Sequence, residues 1–478
     1  MARRTIGIIV HGATGRIGST QHLANALIPI IEEGGLALGD ERLVPRLLLV
    51  GRDADRLAAV ARAHKLTDWT TDIDAALADP AYAIFFDAAA TQQRAAVLEQ
   101  AIGAGKHVYC EKPVAPTAAQ ARALLRQAQT RGCKHGVVED KLHLPGLQKL
   151  AALMKRGDLG RIVSFRLEFG WWVFDGSEQR CQRPSWNYRA NGGGIFLDMY
   201  PHWRYVIETL IGRVARVASS AWTATPERVD ERGERYRVMV EDSAATLVEA
   251  EGGIFGTIAS SWATRVRRDD LLTLQVDGTN GSAVAGLHRC YVQSAAATPA
   301  IAHFTIMQDI GADYRQGWAQ APPLSCYPKN PYRVGWEAFL RHVAADAPMA
   351  CDFSAGIRDV AFAEACHRSV QERRSGVGSP NQPPPSKNAP SGSCFRERVR
   401  LTALTTGWRT PAGAGVERST CKTRILSGNW MPTELASSLL QAPAASTICS
   451  ACTMPRPVCA PTTRSATLCR ARHSVLVQ

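Results

Sequence analysis

A glycine-rich turn close to the N-terminus constrains the fold more than any other feature of the sequence. The β-branched run at residues 5–10 leads into Gly12, Gly15 and Gly18, and an amphipathic helical pattern follows at once. This order of strand, glycine turn and helix places backbone amides and a helix N-terminus where they face a pyrophosphate. The turn therefore predicts the nucleotide-binding start of a parallel sheet, although it identifies a cofactor and no reaction.

The residues that follow repeat the alternation of strands and helices. Short apolar strand patterns alternate with helical ones, and these strands fall at residues 47–50, 83–86, 107–110 and 134–138. Strands that alternate with helices form a parallel sheet covered on both faces. We expect residues 1–145 to form an α/β Rossmann domain with a doubly wound parallel sheet, in which an insertion at residues 34–42 delays the second strand.

The tip of the second strand bears on the choice between NAD and NADP. An acidic residue normally lies there and binds the ribose hydroxyls of NAD, whereas this chain has Gly51 followed by Arg52. An arginine suits the 2′-phosphate of NADP, so the sequence weakly favours NADP over NAD. An exposed arginine at the start of the next helix is the plain alternative, and Asp53 is still close enough to reach a ribose.

The pattern changes after Pro145. A helical stretch at residues 147–154 is followed by several β-rich runs with no helix between them. Such closely spaced runs indicate antiparallel or mixed pairing. We expect residues 146–374 to form an α+β domain with a large open mixed or antiparallel sheet, closed by helices at residues 332–344 and 355–373.

Residues 375–478 differ in composition from the rest of the chain. They hold 11 of the 26 prolines and 6 of the 13 cysteines, and their 12 lysines and arginines face only 3 acidic residues. A segment of this kind buries too little apolar surface to offset its chain entropy. We expect a low-complexity basic tail that is disordered or non-native. Its cysteines and His473 match no zinc-finger spacing, and no metal is predicted.

Composition excludes several classes of partner. The net charge of +13 comes mainly from the tail, and the rest of the chain has no concentrated lysine or arginine stripe, so nucleic-acid binding has no support. The cysteines before residue 375 form no Cys-x-x-Cys pair and are typical of reduced thiols in the cytoplasm. No run approaches the ~20 apolar residues that a membrane span needs, and the N-terminus makes a poor signal peptide. We expect a cytoplasmic protein without a membrane partner.

One segment with candidate catalytic groups follows three consecutive glycines at residues 192–194. Asp198 and His202 are four residues apart and so lie on one face of a helix, where one side chain can orient the other. A carboxylate and a histidine at this spacing are more often a solvated surface pair. Pro201 cannot donate a helical hydrogen bond, so we expect the helix to begin near Pro201 or to kink there.

A second candidate segment is Glu111-Lys112-Pro113. It follows the predicted strand at residues 107–110 and therefore lies at the carboxyl end of a strand, where doubly wound folds bind ligands. A lysine before a turn is by itself more often a plain surface charge.

An aromatic segment before the three glycines supplies candidate substrate contacts. Trp186, Tyr188 and Arg189 combine ring faces with a polar fork, which suits the CH faces and hydroxyl groups of a sugar. The nearby Trp171 and Trp172 fit a hydrophobic core equally well. Lys141, which follows the last strand of the predicted Rossmann domain, is a further substrate candidate.

Together these motifs resemble the Gfo/Idh/MocA family, named after glucose-fructose oxidoreductase, inositol dehydrogenase and rhizopine catabolism. The resemblance rests on the glycine turn, on residues 104–113, and on the three glycines before Asp198 and His202. It implies catalytic roles for Lys112, Asp198 and His202, and a cis bond between Lys112 and Pro113. It also implies a homodimer or homotetramer formed through the open sheet of the second domain.

The resemblance implies a NAD(P)-dependent oxidoreductase that transfers a hydride between nicotinamide and a hydroxyl-bearing carbon of a sugar, polyol or sugar derivative. In that reaction His202 is the acid/base, Lys112 hydrogen-bonds the reacting oxygen, and Asp198 orients the substrate or the histidine. The predicted cofactor contacts are Gly12, Ala13, Thr14, Gly15, Arg16, Ile17, Gly18, Arg52, Thr91 and Glu111.

Three other functions fit part of the pattern. The glycine turn also resembles that of dihydrodipicolinate reductases, which leave the Glu111-Lys112-Pro113 segment unexplained. Relatives with a NAD-dependent glycosidase activity oxidise their substrate only transiently. A non-catalytic, cofactor-sensing regulatory protein keeps the nucleotide site and loses the chemistry, and the presence of both Lys112 and His202 argues against it.

Overall fold

The computed structural model describes residues 2–189, 193–299, 313, 315–325, 329–372 and 377–378. Two large β-sheets lie within one compact unit of the chain. Apart from residues 377–378, the tail for which disorder is predicted lies outside the described residues. Among the described residues, no helix is long and apolar enough to cross a membrane.

The first sheet is the parallel sheet that the N-terminal alternation predicts. Its strands are β1 (Ala2–His11), β2 (Leu36–Leu38), β3 (Glu41–Val50), β4 (Trp69–Thr70), β5 (Tyr82–Asp87), β6 (His107–Cys110) and β7 (His135–Val137). The order is β2-β3-β1-β5-β6-β7, with β4 beside β3. The insertion at residues 34–42 is part of a hairpin, because β2 pairs antiparallel with β3. All the other pairings in this sheet are parallel.

Helices cover both faces of this sheet. They are α1 (π-type over Ile17–Leu27 and α-type over Ile28–Glu32), α2 (Ala54–Ala63), α3 (Ile73–Ala78), α4 (Thr91–Gly103) and α5 (Ala118–Thr130). Successive side chains of a strand point to opposite faces. Ile8 and Val10 of β1 accordingly pack in the core on the α1 side, whereas Ile9 packs in the core that α4 and α5 cover. The doubly wound α/β prediction is confirmed.

The second sheet has nine strands and is mixed. Its strands are β8 (Ile162–Gly170), β9 (Val214–Trp222), β12 (Ser243–Ala250), β13 (Ile254–Ser261), β14 (Leu272–Gly278), β15 (Gly281–Ala285), β16 (Cys290–Ser294), β17 (Ala319–Gln320) and β18 (Val377–Gly378). Between β9 and β12, the strands β10 (Glu227–Val229) and β11 (Arg235–Arg237) form a separate hairpin. The order is β17-β16-β15-β14-β8-β13-β12-β9-β18. Only β8 and β13 pair in parallel among these described strands, which confirms the predicted α+β class.

The remaining helices connect the two sheets. They are α6 (Pro145–Arg156), α7 (Ile195–Leu210), α8 (Pro331–Ala345) and α9 (Phe353–Glu372). Helix α8 packs on α1, and its Trp336 and Phe339 share a core with Ile8 and Val10 of the first sheet. Helix α9 contacts α7 and β9 and also α5. The predicted boundaries at residues 145 and 374 remain predictions, whereas the packing shows that α9 joins both parts and holds α7 close to the first sheet.

Candidate active site

Three segments meet where the parallel strands of the first sheet end. They are the loop after β6 with Lys112, the loop after β7 with Glu139 and Lys141, and helix α7. The carboxyl ends of neighbouring parallel strands lie at one edge of a sheet, where open α/β folds bind ligands. The Lys112–Pro113 bond is cis, as the family resemblance implies.

Helix α7 begins directly after the glycines. Gly194 has φ +92°, and a Cβ there would lie 2.5 Å from Oε1 of Glu241, so this position requires glycine. The main-chain carbonyl and the carboxylate of Glu241 accept hydrogen bonds from the amides of Ile195 and Phe196, at 3.0 and 3.1 Å. The helix then continues through Pro201. Of the two expectations, a helix start near Pro201 is wrong, because the helix starts at Ile195 under this cap. A kink at Pro201 stays a prediction.

Asp198 is the centre of an ion-pair cluster. Lys112 Nζ lies 2.7 Å from Asp198 Oδ1 and 2.6 Å from the Asp198 carbonyl oxygen, and the guanidinium of Arg183 contacts Asp198 Oδ2. Burial opposes ionisation of this carboxyl, but the charges of Arg183 and Lys112 outweigh it and hold the pKa of Asp198 well below its usual range. Asp198 is therefore a fixed anion that holds both cations in place.

His202 lies on the same helix but binds other partners. Its Nδ1 is 2.8 Å from Glu139 Oε2 and 3.7 Å from Asp140 Oδ1, and its side chain is only 2% exposed. Burial, followed by the positive charges of Lys141 and Lys112, lowers the pKa of His202 well below the ordinary histidine value. The alternative of a solvated surface pair is wrong.

The spacing of Asp198 and His202 also suggested that one orients the other, and the structure corrects this. Although the two residues share a helix face, the Asp198 carboxylate turns to Lys112 and Arg183, whereas the His202 ring turns to the loop after β7. The orienting carboxyl for His202 is Glu139.

The glycine turn has the geometry that a dinucleotide requires. Gly12 has φ +77°, and a Cβ at Gly18 would lie 2.4 Å from the Gly12 carbonyl oxygen, so helix α1 packs tightly against the turn. Gly15 and Arg16 are exposed, and no side chain caps the start of α1. The end of the helix is therefore open to an anion. Ala13, Thr14 and Ile17 complete the turn, so the residues present fit the pyrophosphate of NAD(P).

Two further predicted cofactor residues flank this turn. Thr91 begins α4 at the carboxyl end of β5 and is buried. Glu111 follows β6, and its Oε1 lies 2.8 Å from Nε2 of His22 in α1. Because the indole of Trp336 donates to Nδ1 of His22 at 2.9 Å, Nε2 carries the ring proton and donates it to Glu111. The position of Glu111 is thus set from α1 and α8.

Arg52 lies with other cations at the end of β3. Arg16, Arg52 and Arg56 are all exposed there, and Arg56 donates to the carbonyl oxygen of Thr14 at 3.0 Å. Asp53 accepts from the Arg56 amide at 3.0 Å and caps α2. Asp53 is therefore engaged with the helix, whereas Asp55 in the first turn of α2 is exposed.

The predicted substrate residues have different surroundings. Lys141 lies in the site, with its Nζ 2.6 Å from Asp140 Oδ2. Trp186 is 41% exposed. Arg189 contacts Asp230 at 3.1 Å and lies over the ring of Tyr236, away from the Lys112 cluster.

The prediction that Tyr188 contacts the substrate is wrong. It has no exposed surface, because its ring is packed between Trp262 at 5.3 Å and the Arg228 guanidinium at 4.0 Å. Trp262 in turn carries the guanidinium of Arg183 on its ring at 4.2 Å. The side chain of Tyr188 therefore lies behind the site and supports it, instead of facing a substrate.

Sequence reasoning missed Arg183, Glu139 and Asp140 as site residues. Glu139 and Asp140 had a readable signal, since two acids directly after a buried strand of a parallel sheet lie at its functional edge. Arg183 had none beyond its place in the aromatic segment, because its contact with Asp198 depends on how that loop folds back on α7.

The fold and this site define an oxidoreductase with a dinucleotide-binding domain. Residues 8–139 match the oxidoreductase family with an NAD-binding Rossmann fold, and residues 147–284 match the GFO/IDH/MocA C-terminal domain. The chain belongs to the Gfo/Idh/MocA family, and the resemblance drawn from its motifs is confirmed.

Several characterised relatives are dehydrogenases. The chain is 43% identical over 375 residues to D-xylose dehydrogenase of Paenarthrobacter nicotinovorans, covering 77% of this chain and 96% of that protein. It is 25% identical over 306 residues to levoglucosan dehydrogenase of Pseudarthrobacter phenanthrenivorans, covering 60% of this chain and 75% of that protein. A solved levoglucosan dehydrogenase in complex with NADH and levoglucosan shares the fold, with a TM-score of 0.65 at 20% identity over 79% of this chain and 100% of that one.

These matches bear on two of the three alternatives left open by the sequence, and the NAD-dependent glycosidase stays untested. A dihydrodipicolinate reductase rested on the glycine turn alone, whereas the family match continues through the second domain to residue 284. The matched relatives are named dehydrogenases, and the N-terminal match is to an oxidoreductase family, which favours a dehydrogenase over a non-catalytic sensor.

Proposed function

We propose that this protein is a NAD(P)-dependent sugar dehydrogenase and that D-xylose, or a pentose like it, is its substrate. The observation that carries the proposal is the pairing of Lys112 with Asp198, next to a buried neutral His202, at the end of a nucleotide-binding sheet. The relative that is 43% identical over almost its whole length is a D-xylose dehydrogenase, which makes this sugar the first choice.

The cofactor site uses the residues described above. The glycine turn from Gly12 to Gly18 would hold the pyrophosphate, and Thr91 and Glu111 would lie along the nucleotide at the ends of β5 and β6. Nicotinamide, when bound, accepts or supplies the hydride. The protein supplies the position of the sugar and the proton chemistry.

Lys112 and His202 act on the same hydroxyl group of the sugar in different ways. The Lys112 ammonium donates a hydrogen bond to the reacting oxygen and stabilises its alkoxide character, while Asp198 fixes the ammonium. His202 removes the hydroxyl proton with Nε2, because Nδ1 is occupied by Glu139. Arg183 and Lys141 border the same space and would contact the other hydroxyl groups of the sugar.

A substrate panel tests this proposal. Purified full-length protein with NAD or NADP should reduce the nicotinamide fastest with D-xylose, compared with L-arabinose, D-glucose, levoglucosan, myo-inositol and D-gluconate. We expect kcat/KM for D-xylose to exceed that for levoglucosan by about tenfold or more, since hydrogen-bonded sites discriminate strongly between hydroxyl patterns. If no sugar is oxidised with either cofactor, the proposed sugar dehydrogenase activity is wrong.

NADP is the cofactor that the surface charges favour. Arg16, Arg52 and Arg56 lie at the end of β3, where Asp53 is engaged as a helix cap and Asp55 in the first turn of α2 is exposed, so the cations there outnumber the carboxylates. A guanidinium binds a phosphate through strong charge-assisted hydrogen bonds.

Arg52→Asp is expected to shift the cofactor preference toward NAD. Loss of a charge-assisted phosphate contact corresponds to roughly tenfold or more in the ratio of dissociation constants for NADP and NAD. Titration of tryptophan fluorescence with each cofactor measures that ratio. Arg62→Asp, at the far end of α2, is the matched control and should leave it unchanged. If the wild type prefers NAD and Arg52→Asp weakens both cofactors equally, Arg52 does not read the phosphate.

A homo-oligomer formed through the second sheet completes the proposal. Leu247 of β12 and Phe255 of β13 lie on adjacent strands and are 62% and 59% exposed. Large apolar side chains that cluster on a sheet face are typical of subunit interfaces. A homodimer or homotetramer would cover them.

A further inference from the structure

Behind His202, carboxyl groups from two distant parts of the chain meet. Glu139 follows β7, and its Oε2 lies 2.8 Å from His202 Nδ1. Asp359 comes from α9, and its carboxyl group lies close enough to that of Glu139 for its charge to act on it. The other oxygen of Asp359, Oδ1, accepts from Arg204 Nε at 2.6 Å. His202, Glu139, Asp359 and Arg204 therefore form one continuous chain of contacts.

One oxygen of Glu139 and one of Asp359 are placed so that a proton could satisfy them both. Glu139 Oε1 and Asp359 Oδ2 are both buried, and neither has a donor elsewhere in the part of the chain that the structure describes. Two ionised carboxylates cannot hydrogen-bond to each other, whereas one shared proton satisfies both oxygens. Burial raises the pKa of both groups, and the negative charge of Asp359 raises that of Glu139 further.

The surroundings also make a charged His202 unfavourable. The groups that face this chain of contacts are the charged Lys112, Asp140, Lys141, Arg204 and Arg358, with the neutral Tyr205 and Cys351 beside Glu139. Lys141 and Lys112 lie on the side of His202, and Arg204 lies on the side of Asp359. A proton taken up by His202 is thus repelled by two ammonium groups and attracted by carboxylates that lie deeper in the protein.

We propose that Glu139 and Asp359 form a proton relay that receives the substrate's hydroxyl proton from His202 and returns it in the reverse reaction. The relay rests on the proposed alcohol oxidation. In the resting state His202 Nδ1–H donates to Glu139 Oε2, Glu139 Oε1–H donates to Asp359 Oδ2, and Arg204 donates to Asp359 Oδ1. His202 Nε2 is then unprotonated and free to act as the base.

The transfer keeps every atom and charge accounted for. The O–H bond of the sugar breaks and N–H forms at Nε2, N–H at Nδ1 breaks and O–H forms at Glu139 Oε2, and O–H at Glu139 Oε1 breaks and forms at Asp359 Oδ2. His202 ends neutral, and the added proton resides on Asp359. The hydride leaves separately with the nicotinamide.

Glu139→Gln is the sharpest test, because glutamine copies the protonated acid. Its carbonyl accepts from His202 Nδ1–H and its amide donates to Asp359, so packing and hydrogen bonds are kept while proton transfer stops. We expect kcat for the sugar to fall by about tenfold to a hundredfold, with the KM and the dissociation constant for the cofactor nearly unchanged. Asp359→Asn removes the final acceptor and should do the same.

Glu208→Gln is the matched control, since it removes a carboxylate that contacts Arg204 but lies outside the transfer path. Its kcat should stay near the wild-type value. Wild-type kcat in Glu139→Gln would overturn the relay and leave Glu139 as a hydrogen-bonding support only. A fall in kcat for Glu208→Gln as large as that for Glu139→Gln would also overturn it, since loss of any charge in the network would then suffice.

An infrared measurement tests the shared proton without any turnover. The wild type minus Glu139→Gln difference spectrum at neutral pH should show the carbonyl band of a protonated carboxylic acid, shifted in heavy water. Glu241, whose pKa burial also raises, contributes to both proteins and cancels. Absence of the band overturns the relay. If no sugar is oxidised, the proposed function fails and this band alone decides whether the shared proton exists.

Discussion

Lys112→Met is expected to lower kcat by about a hundredfold or more, with cofactor affinity little changed. The Lys112 ammonium lies 2.7 Å from Asp198 Oδ1, and in the proposed reaction it donates a hydrogen bond to the developing alkoxide. Removing one preorganised donor of this kind typically costs 10²–10³ in rate. Methionine keeps most of the length and apolar contact of the side chain, so the loss reports on the charge and its hydrogen bonds.

Lys106→Met supplies the matched control for this variant. Lys106 is buried, whereas Lys112 is partly exposed. Lys106 lies before β6, at the amino ends of the strands of the first sheet, and its Nζ donates to the Asp79 carbonyl oxygen at 2.7 Å. Its replacement should leave kcat unchanged even if it lowers the melting temperature. Steady-state kinetics with the best sugar, together with thermal unfolding of both variants, separate the two effects. Near-normal turnover in Lys112→Met would place the oxyanion contact elsewhere.

The fold was readable from the sequence because its signals are local. The period of the strands, the glycine turn before α1 and the order of elements each depend on neighbouring residues, and both sheets formed where these patterns lie. The packing of α8 and α9 was not readable. An amphipathic helix shows that one face is buried but not against which layer, and Trp336 and Asp359 find partners in distant parts of the chain.

The site, like the fold, has parts that were predictable from the sequence and parts that were not. The place of Lys112 at the carboxyl ends of the strands was predictable, because it follows a strand of a parallel sheet, whereas its catalytic role was implied by the family resemblance and stays a prediction. The prediction that Asp198 and His202 contact each other was wrong, because helical spacing predicts the direction of a side chain but not which residue it contacts. Arg183 and Glu139 approach from two other segments of the chain, and a single sequence carries no record of those contacts. An aromatic ring next to polar residues fits a sugar subsite and a hydrophobic core equally well, and the ring of Tyr188 lies in the core.

The remaining large effect concerns His202. Asparagine at this position keeps a donor close to where Nδ1 meets Glu139 and lacks any atom at Nε2, so His202→Asn removes the base while its support is retained. We expect kcat to fall by about a hundredfold or more, since a positioned general base contributes 10²–10⁴. His107→Asn is the control, because His107 is a partly buried histidine at the far end of β6 whose Nδ1 accepts from the Lys134 amide.

The pH dependence of kcat/KM then distinguishes catalysis from structure. Oxidation requires His202 in its neutral form, so the rate falls as the pH drops through the pKa of His202. Because burial and the charges of Lys141 and Lys112 lower that pKa, the acid limb should lie below the ordinary histidine value of about 6.5. The limb should vanish in His202→Asn and persist in His107→Asn. If the acid limb of the pH profile survives in His202→Asn, another group titrates there and His202 is not the base.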